Sequence, residues 1–247
     1  VFRISYDNYI GWQSPTALPK NVSGYDHMVM MNEANRNVGK AEPFKQEYID
    51  EYLKHAPSND YPETNWRKEM LKNRALQHNH HVSINGGGEK VSMLGSLSYL
   101  NQDGITINTN YERINLRLNT DVHIRKDLTA RFDVFFMTDD NAEPAAGMPW
   151  YFLNRYPNNI AGQNEDGSWG IGWDGTNVWA TQTDGGMTHS KNYTTNLNFK
   201  LDYQPLKGLN LSFQYAPKWN FYHYKRFGKT VNLYYPSGDL FSPTPHR

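Results

Sequence analysis

The 247 residues include no cysteine, which excludes disulfide frameworks, thiolate metal centres and cysteine nucleophiles together. There is no run of about 18 apolar residues, so the sequence contains no transmembrane helix. Nor is there an excess of either charge. The 25 Lys and Arg balance 25 Asp and Glu, which removes the electrostatic signature of a nucleic-acid binder. The first stretch does not read as a leader: "VFRISYDNYIGW" has no initiator Met, basic n-region or apolar h-region and already alternates like a strand. The far end, "YYPSGDLFSPTPHR", stops in turn chemistry, and both ends carry the expectation that the chain is a piece of something longer.

What is present is an odd mixture. Aromatic residues make up 14% of the chain, with 17 Tyr and 7 Trp, yet the mean hydropathy is -0.80. A soluble core with that aromatic content usually brings more Leu, Ile and Val with it.

Most of the chain alternates with period 2, which puts odd and even positions on opposite faces of a strand. Phe2, Ile4, Tyr6, Ile10 and Trp12 share one parity. Val82 and Ile84 lead into the turn "GGGEK", and Val91, Met93, Leu97 and Tyr99 follow it. Ile114, Leu116, Leu118, Val122 and Ile124 then face away from Arg113, Asn115, Arg117, Asn119 and Asp121. Beyond "RKD" come Leu128, Ala130, Phe132, Val134 and Phe136. Leu197, Phe199, Leu201 and Tyr203 oppose Asn196, Asn198, Lys200 and Asp202. After "QPLKG", Leu209, Leu211, Phe213 and Tyr215 oppose Asn210, Ser212 and Gln214. The count is about seven strands, the last extending past Pro217 through "WNFYHYKRF".

Helical signals interrupt this pattern once. Ser23 can cap a helix over about 25–35, and Pro43 and Pro57 bracket one that carries Phe44, Tyr48, Ile49, Tyr52 and Leu53. "NWRKEMLKN" adds another turn or two. The expected organisation is a first strand over 1–12 and a helical insert over 13–77. Strands with short turns over 78–138, a large loop over 139–190, and strands leading into a further loop over 191–247 complete it. The insert lacks a basic stripe, so it is expected over a barrel mouth or against a partner, not on a bilayer.

Two features say which face is wet. Many strands exceed the 5 to 6 residues common in soluble sheets, reaching the roughly 9 to 11 that a membrane crossing needs. The connections also alternate in length, so the short turns fall at one end of the sheet and the long loops at the other. Outer-membrane barrels have that asymmetry, and only a closed sheet satisfies every backbone group in hydrocarbon. The expected fold is therefore all-β: an antiparallel up-and-down transmembrane β-barrel, present as a partial barrel. Its apolar parity faces lipid, its polar parity faces a wet lumen, and Trp12, Tyr99, Tyr111 and Tyr203 supply an interfacial girdle. The alternative is a secreted β-sandwich that binds carbohydrate. The two readings part at Ile114, Leu116, Leu118 and Val122, which face lipid in the first and a dry core in the second.

Several stretches also resemble the start of the barrel in SusC/RagA-like TonB-dependent outer-membrane transporters. They are "RISYDNYIGWQSPTALPK", "NEANRNVG", "TNWRKEMLKN" and above all "HNHHVSINGGGEKVSMLGSLSYLNQDGI" with "NTNYERINLRLNTDVHIRKDLTARFDV". "YPNNIAGQNEDGSWG" and "NLNFKLDYQPLKGLNLSFQYA" continue the likeness in order along nearly the whole chain. The resemblance implies an outer-membrane location and a full-length protein with a plug and a TonB-contact segment that this chain lacks. It also implies a SusD-like surface lipoprotein as lid, membrane lipid around the barrel, and a glycan or peptide cargo.

No motif carries catalysis. "QHNHH" puts His78 and His80 on one face and His81 on the other, with no carboxylate to complete a metal site. "NEDGSWGIGWDG" lacks the spacing of a calcium loop, and "GGGEK" lacks that of a phosphate loop. Glu33, Asp139, Asp140 and Glu143 form no defined carboxylate pair, and Asp139 and Asp140 read as the start of a solvated loop. No enzyme, cofactor, metal or nucleic-acid partner is expected. For substrate the candidates are Trp169 and Trp173, whose rings can stack on sugars, with Asp166 and Asp174 as hydroxyl acceptors. Packing of these Trp residues against the loop's own neighbours, or against a lid partner, is the competing reading.

Overall fold

The structure, a computed structural model, describes residues 2–241; Val1 and the 242–247 end of the last expected loop lie outside the described residues. The chain enters on β1 (Phe2–Gln13) and then forms three helices, α1 (Gly24–Asn37), α2 (Gln46–His55) and α3 (Trp66–Met70). Four strands follow: β2 (Ala75–Gly87), β3 (Val91–Asp103), β4 (Asn110–Arg125) and β5 (Leu128–Pro144). Short helices α4 (Trp150–Leu153) and α5 (Val178–Asp184) lead to β6 (Gly186–Leu206), β7 (Leu209–Tyr215) and β8 (Lys218–Gly228). All strands join one antiparallel sheet, each beside its sequence neighbour except that β8 pairs with β6.

That exception dissolves on inspection of the register. Phe199 faces Tyr215 and Asn196 faces Lys218, so β8 continues the register of β7 along β6 without a slip between them. Ala216 and Pro217 merely interrupt the ladder. Proline has no N–H to give, but the Pro217 carbonyl still accepts from Leu197 N at 3.0 Å. β7 and β8 are one strand position, and the meander has seven among the described residues.

The long connections leave one end of the sheet and the tight turns the other. Gly87 shows why one tight turn needs glycine: a Cβ there would lie 2.7 Å from the Val91 carbonyl oxygen across the hairpin. At the loop end, α1 and α2 pack around Met28, Ile49 and Tyr52. Asn32 clasps the backbone of Phe44, donating to its carbonyl at 2.6 Å and accepting from its N–H at 3.0 Å. Ser23 caps α1 as expected, accepting from Asp26 N at 3.0 Å, whereas Lys45 at the start of α2 offers no side-chain cap. Ser23→Ala is thus expected to destabilise α1 by about 1 kcal/mol. Hydrogen exchange of its first-turn amides should quicken several-fold, and Lys45→Ala should leave the α2 amides unchanged.

Residues opposite one another across antiparallel strands share a face, so the register sorts the sheet into rows. On the apolar face one row runs Ile4, Ile84, Gly95, Leu118, Val134, Leu197. The next includes Tyr6, Val82, Leu97, Leu116 and Phe136. No second sheet covers these rows among the described residues. Ile114, Leu116 and Leu118 remain 40%, 44% and 38% exposed, which removes the sandwich alternative. From Ile124 to Ile114 the apolar parity climbs about 33 Å along the strand, or about 25 Å along a barrel axis at a tilt near 40°, the height of an outer-membrane apolar band.

Above that band the same face turns polar. The row of Ile10 continues through His78, Asn101, Glu112, Asp140 and Lys191. Two sequence expectations change here. Asp139 and Asp140 are not in a loop: β5 runs on to Pro144 and β6 begins at Gly186, with Asp139 facing Asn192 and Asp140 facing Lys191. A strand that rises past the bilayer is wet on both faces, so charge no longer marks its end. Tyr111 is also not in the girdle. It stands opposite Gln102 and Asn141 on the polar face, while Tyr99, Tyr193 and Phe221 occupy the row of Ile114 at the band's upper edge.

Candidate functional site

The polar face carries a continuous hydrogen-bond ladder. Asp133 on β5 accepts from Asn119 Nδ2 of β4 and from Asn198 Nδ2 of β6, both at 2.8 Å. Gln214 on β7 then donates to Asn198 Oδ1 at 2.7 Å. Four strand positions are thus tied through one carboxylate and three amides. Toward the short turns, Arg131 pairs with Asp121 at 2.7 Å and Lys200 with Asp202 at 2.9 Å. Toward the loops, Arg117 lies 5.5 Å from the centre of the Phe135 ring, Asn115 donates to Ser98 Oγ at 3.0 Å, and Asn192 donates to Asp139 at 2.9 Å.

The break at Pro217 opens a depression of about 430 Å³ in this face, lined by Arg117, Asn119, Asp133, Asn198, Gln214 and Lys218. Amides offer donors and acceptors together, and the two cations add charge-assisted donors. Such a surface offers hydrogen bonds to hydroxyl and amide groups. The alternation of the sequence placed these residues on the wet side. Their bonding to one another depends on register, which the short turns set and which no single strand reveals.

Above the lumen the long connections form one assembly. Trp66 and Met70 of α3 pack with Leu71, Leu153, Tyr156 and Val178, joining the first insert to the β5–β6 loop. The β3–β4 connection joins through Lys72 N to Ile105 O at 2.7 Å and Ile107 N to Met70 O at 3.0 Å. Gly162 lies so close to α3 that a Cβ there would meet Thr64, Trp179 and Trp66 at 2.9–3.3 Å. The segment after β8 docks as well, through Tyr234 N to Trp169 O at 2.8 Å. Burial pushes the Tyr156 hydroxyl up to about 12, and it donates to the Thr176 carbonyl at 3.0 Å. Burial and the adjacent Glu63 carboxylate raise that of Tyr52, which donates to Glu63 Oε2 at 2.5 Å. Both phenols stay neutral hydrogen-bond donors at any physiological pH.

The four loop residues expected to meet substrate are not alike. Trp169 donates its indole N–H to Asp184 at 2.7 Å and packs edge-on against Trp179, so its ring is engaged within the loop. Asp166 accepts from Ser168 N and Oγ at 2.9 and 2.6 Å, and these bonds hold its carboxyl below the usual range. Trp173 touches Tyr156 edge-on but keeps 45% of its surface exposed. Asp174 sits beside it, exposed, at the φ of +52° of a tight turn that Asp tolerates.

An antiparallel meander with an uncovered apolar face of membrane height, a hydrogen-bonded polar face and its loops massed at one end is a segment of a transmembrane β-barrel. Comparison with known proteins carries this further. The chain is 28% identical over 246 residues to TonB-dependent receptor P26 of Formosa agariphila, covering 94% of the chain and 23% of that protein. It is 30% identical to TonB-dependent receptor P3 of the same organism over 92 residues, which cover 37% of the chain and 9% of that protein. No family model matches. Solved structures of the RagAB peptide importer, in its closed-closed and open-open states, superpose with TM-scores of 0.69 and 0.68 at 17% and 16% identity. Each alignment covers 89% of this chain and 28% of the matched one. At such identity the structures speak for the fold, while the curated relatives are receptors, not enzymes. The chain is a segment of an outer-membrane β-barrel that is similar in sequence to TonB-dependent receptors and in fold to part of the RagAB importer, and it spans about a quarter of the length of these proteins.

Proposed function

We propose that the complete protein imports a polar oligomer across the outer membrane, with glycan oligosaccharides the first candidate and peptides the second. The observation that carries this is the amide and carboxylate ladder from Asn119 to Gln214, on the wet face beneath one packed loop assembly. Hydroxyl-rich sugar chains and peptide backbones both match its alternating donors and acceptors. The import reading is supported by the TonB-dependent receptors among the relatives, and the peptide candidate by the RagAB neighbours. A SusD-like surface lipoprotein covers the loop end in this reading. TonB supplies the energy through segments outside this chain.

A strain lacking the complete gene tests the proposal. Its growth should fail on oligosaccharides, or on oligopeptides, while growth on the matching monomers persists, and loss of TonB should reproduce the defect. Unimpaired growth on both kinds of oligomer would overturn it.

Within the loop assembly we assign cargo contact to Trp173 and Asp174 before Trp169 and Asp166, because the Trp173 ring keeps free surface and the Asp174 carboxylate, unlike that of Asp166, is not engaged by Ser168. Trp173→Ala is expected to weaken cargo binding by roughly tenfold, the scale of one lost stacking contact, with loop protection unchanged. Trp169→Ala should instead loosen the loop, read as faster proteolysis within 145–185. If Trp173→Ala left cargo affinity at the parent value, this assignment would be withdrawn.

A further inference from the structure

In the first two rows above the upper aromatic row, on the outward face, β6 and β8 bring four nitrogen-bearing side chains together. The register sets Lys191 opposite His223 and His189 opposite Lys225, and with Tyr193 they line a cleft of about 560 Å³. The carboxylate in contact with this cluster is Asp140 of β5, 3.3 Å from Lys191 Nζ and 3.1 Å from His189 Nδ1, while Glu112, next to Asp140 in the same row, accepts from Asn101 and Tyr99 instead. One carboxylate against two lysines leaves net positive charge even when both imidazoles are neutral. Lys225 and His223 are exposed and have no ion pair among the described residues.

Depth decides what can neutralise this charge. Tyr193 faces Phe221 directly beneath the cleft, in the row that ends the apolar band. The cleft therefore lies at the level of the lipid headgroups of the outer leaflet, on the surface turned toward lipid and away from the lumen. Cations at that depth beside an aromatic belt attract anionic headgroups, each contributing through charge attraction that salt screens. Cargo passing through the lumen does not reach this face. We propose that the cleft of Lys191, Lys225, His189 and His223 seats the phosphate of an anionic lipid in the outer leaflet.

The proposal rests on the outer-membrane placement and not on any particular cargo. Its test uses the complete protein, extracted from its own outer membrane in mild detergent. Native mass spectrometry reads bound phosphate-bearing glycolipid on the parent, on the double variant Lys191→Gln/Lys225→Gln, and on Lys207→Gln at the opposite rim. Occupancy is expected to fall at least about tenfold in the double variant and to stay at the parent level in Lys207→Gln. A retained heat-shifted gel band confirms that the barrel has formed. Should the double variant fail to form it, His223→Gln, which removes one donor and no fixed charge, is expected to lower occupancy by a smaller factor. Equal occupancy in parent and variants would overturn the proposal, as would equal retention of the same glycolipid stripped of phosphate. Full displacement of the lipid by inorganic phosphate alone would make this a soluble-anion site. A homodimer that the double variant dissociates would make it a protein interface. Either result removes the lipid. Uptake of cargo by the double variant should match the parent, so the import reading and this one fail separately.

Discussion

Leu118→Lys is expected to abolish the heat-shifted band of the complete protein in the outer-membrane fraction, while Asn119→Lys leaves it in place. Leu118 stands in a middle row of the apolar band, between Ile84, Gly95, Val134 and Leu197 on neighbouring strands. A lysine there meets the bilayer near its midplane, at a cost of about 2–4 kcal/mol. Asn119 is one residue away and on the other face, where its amide donates to Asp133 at 2.8 Å. A lysine at 119 enters water beside that carboxylate and gains an ion-pair partner in exchange for the lost amide bond. The contrast comes from the pleat, since adjacent residues of a strand point to opposite sides. Equal damage from the two substitutions would mean that the polar face is not a wet lumen.

The second large effect belongs to the loop end. Trp66→Ala is expected to release the β5–β6 connection from the first insert and leave the barrel standing. Trp66 is fully buried, packs edge-on against Tyr156, and donates its indole N–H to the Pro157 carbonyl at 3.0 Å. Truncating a buried tryptophan removes about 3–5 kcal/mol, and the Pro157 oxygen loses its donor as well. Limited proteolysis should then cut within 145–185 much faster than in the parent, while the heat-shifted band persists. Trp66→Phe keeps much of the ring but not the donor, so it should fall between the two. If the loop in Trp66→Ala stayed as protected as the parent's, the cluster around Met70, Leu153 and Val178 would not be what holds the assembly.

How far each feature could be read beforehand follows from the range of the interaction behind it. The parity of Ile114 through Ile124, the cap at Ser23 and the turn at "GGGEK" are local, written within a few residues of one another, and the structure has them in place. The upper limits of the strands were not legible. Asp139, Asp140 and His189 look like solvated loop until their cross-strand pairing is known, because a strand outside the bilayer no longer has a dry face to betray it. Tyr111 was assigned to the girdle by its nearness to a strand end, and the pleat sends it to the other side.

The sequence by itself determined the two-sidedness of the sheet, the up-and-down order and the massing of long connections at one end. Period-2 hydropathy and turn chemistry act through the nearest residues along the chain. Only the tertiary structure decided which loop tryptophan is free. Trp169 and Trp173 lie in one short glycine-rich stretch with nothing local to tell them apart. Asp184 and Trp179 arrive from α5 to engage the first, and Tyr156 covers one edge of the second. The same holds for the ladder through Asp133 and for the basic cleft between β6 and β8. Each is assembled from strands whose side chains meet only once the register between them is set.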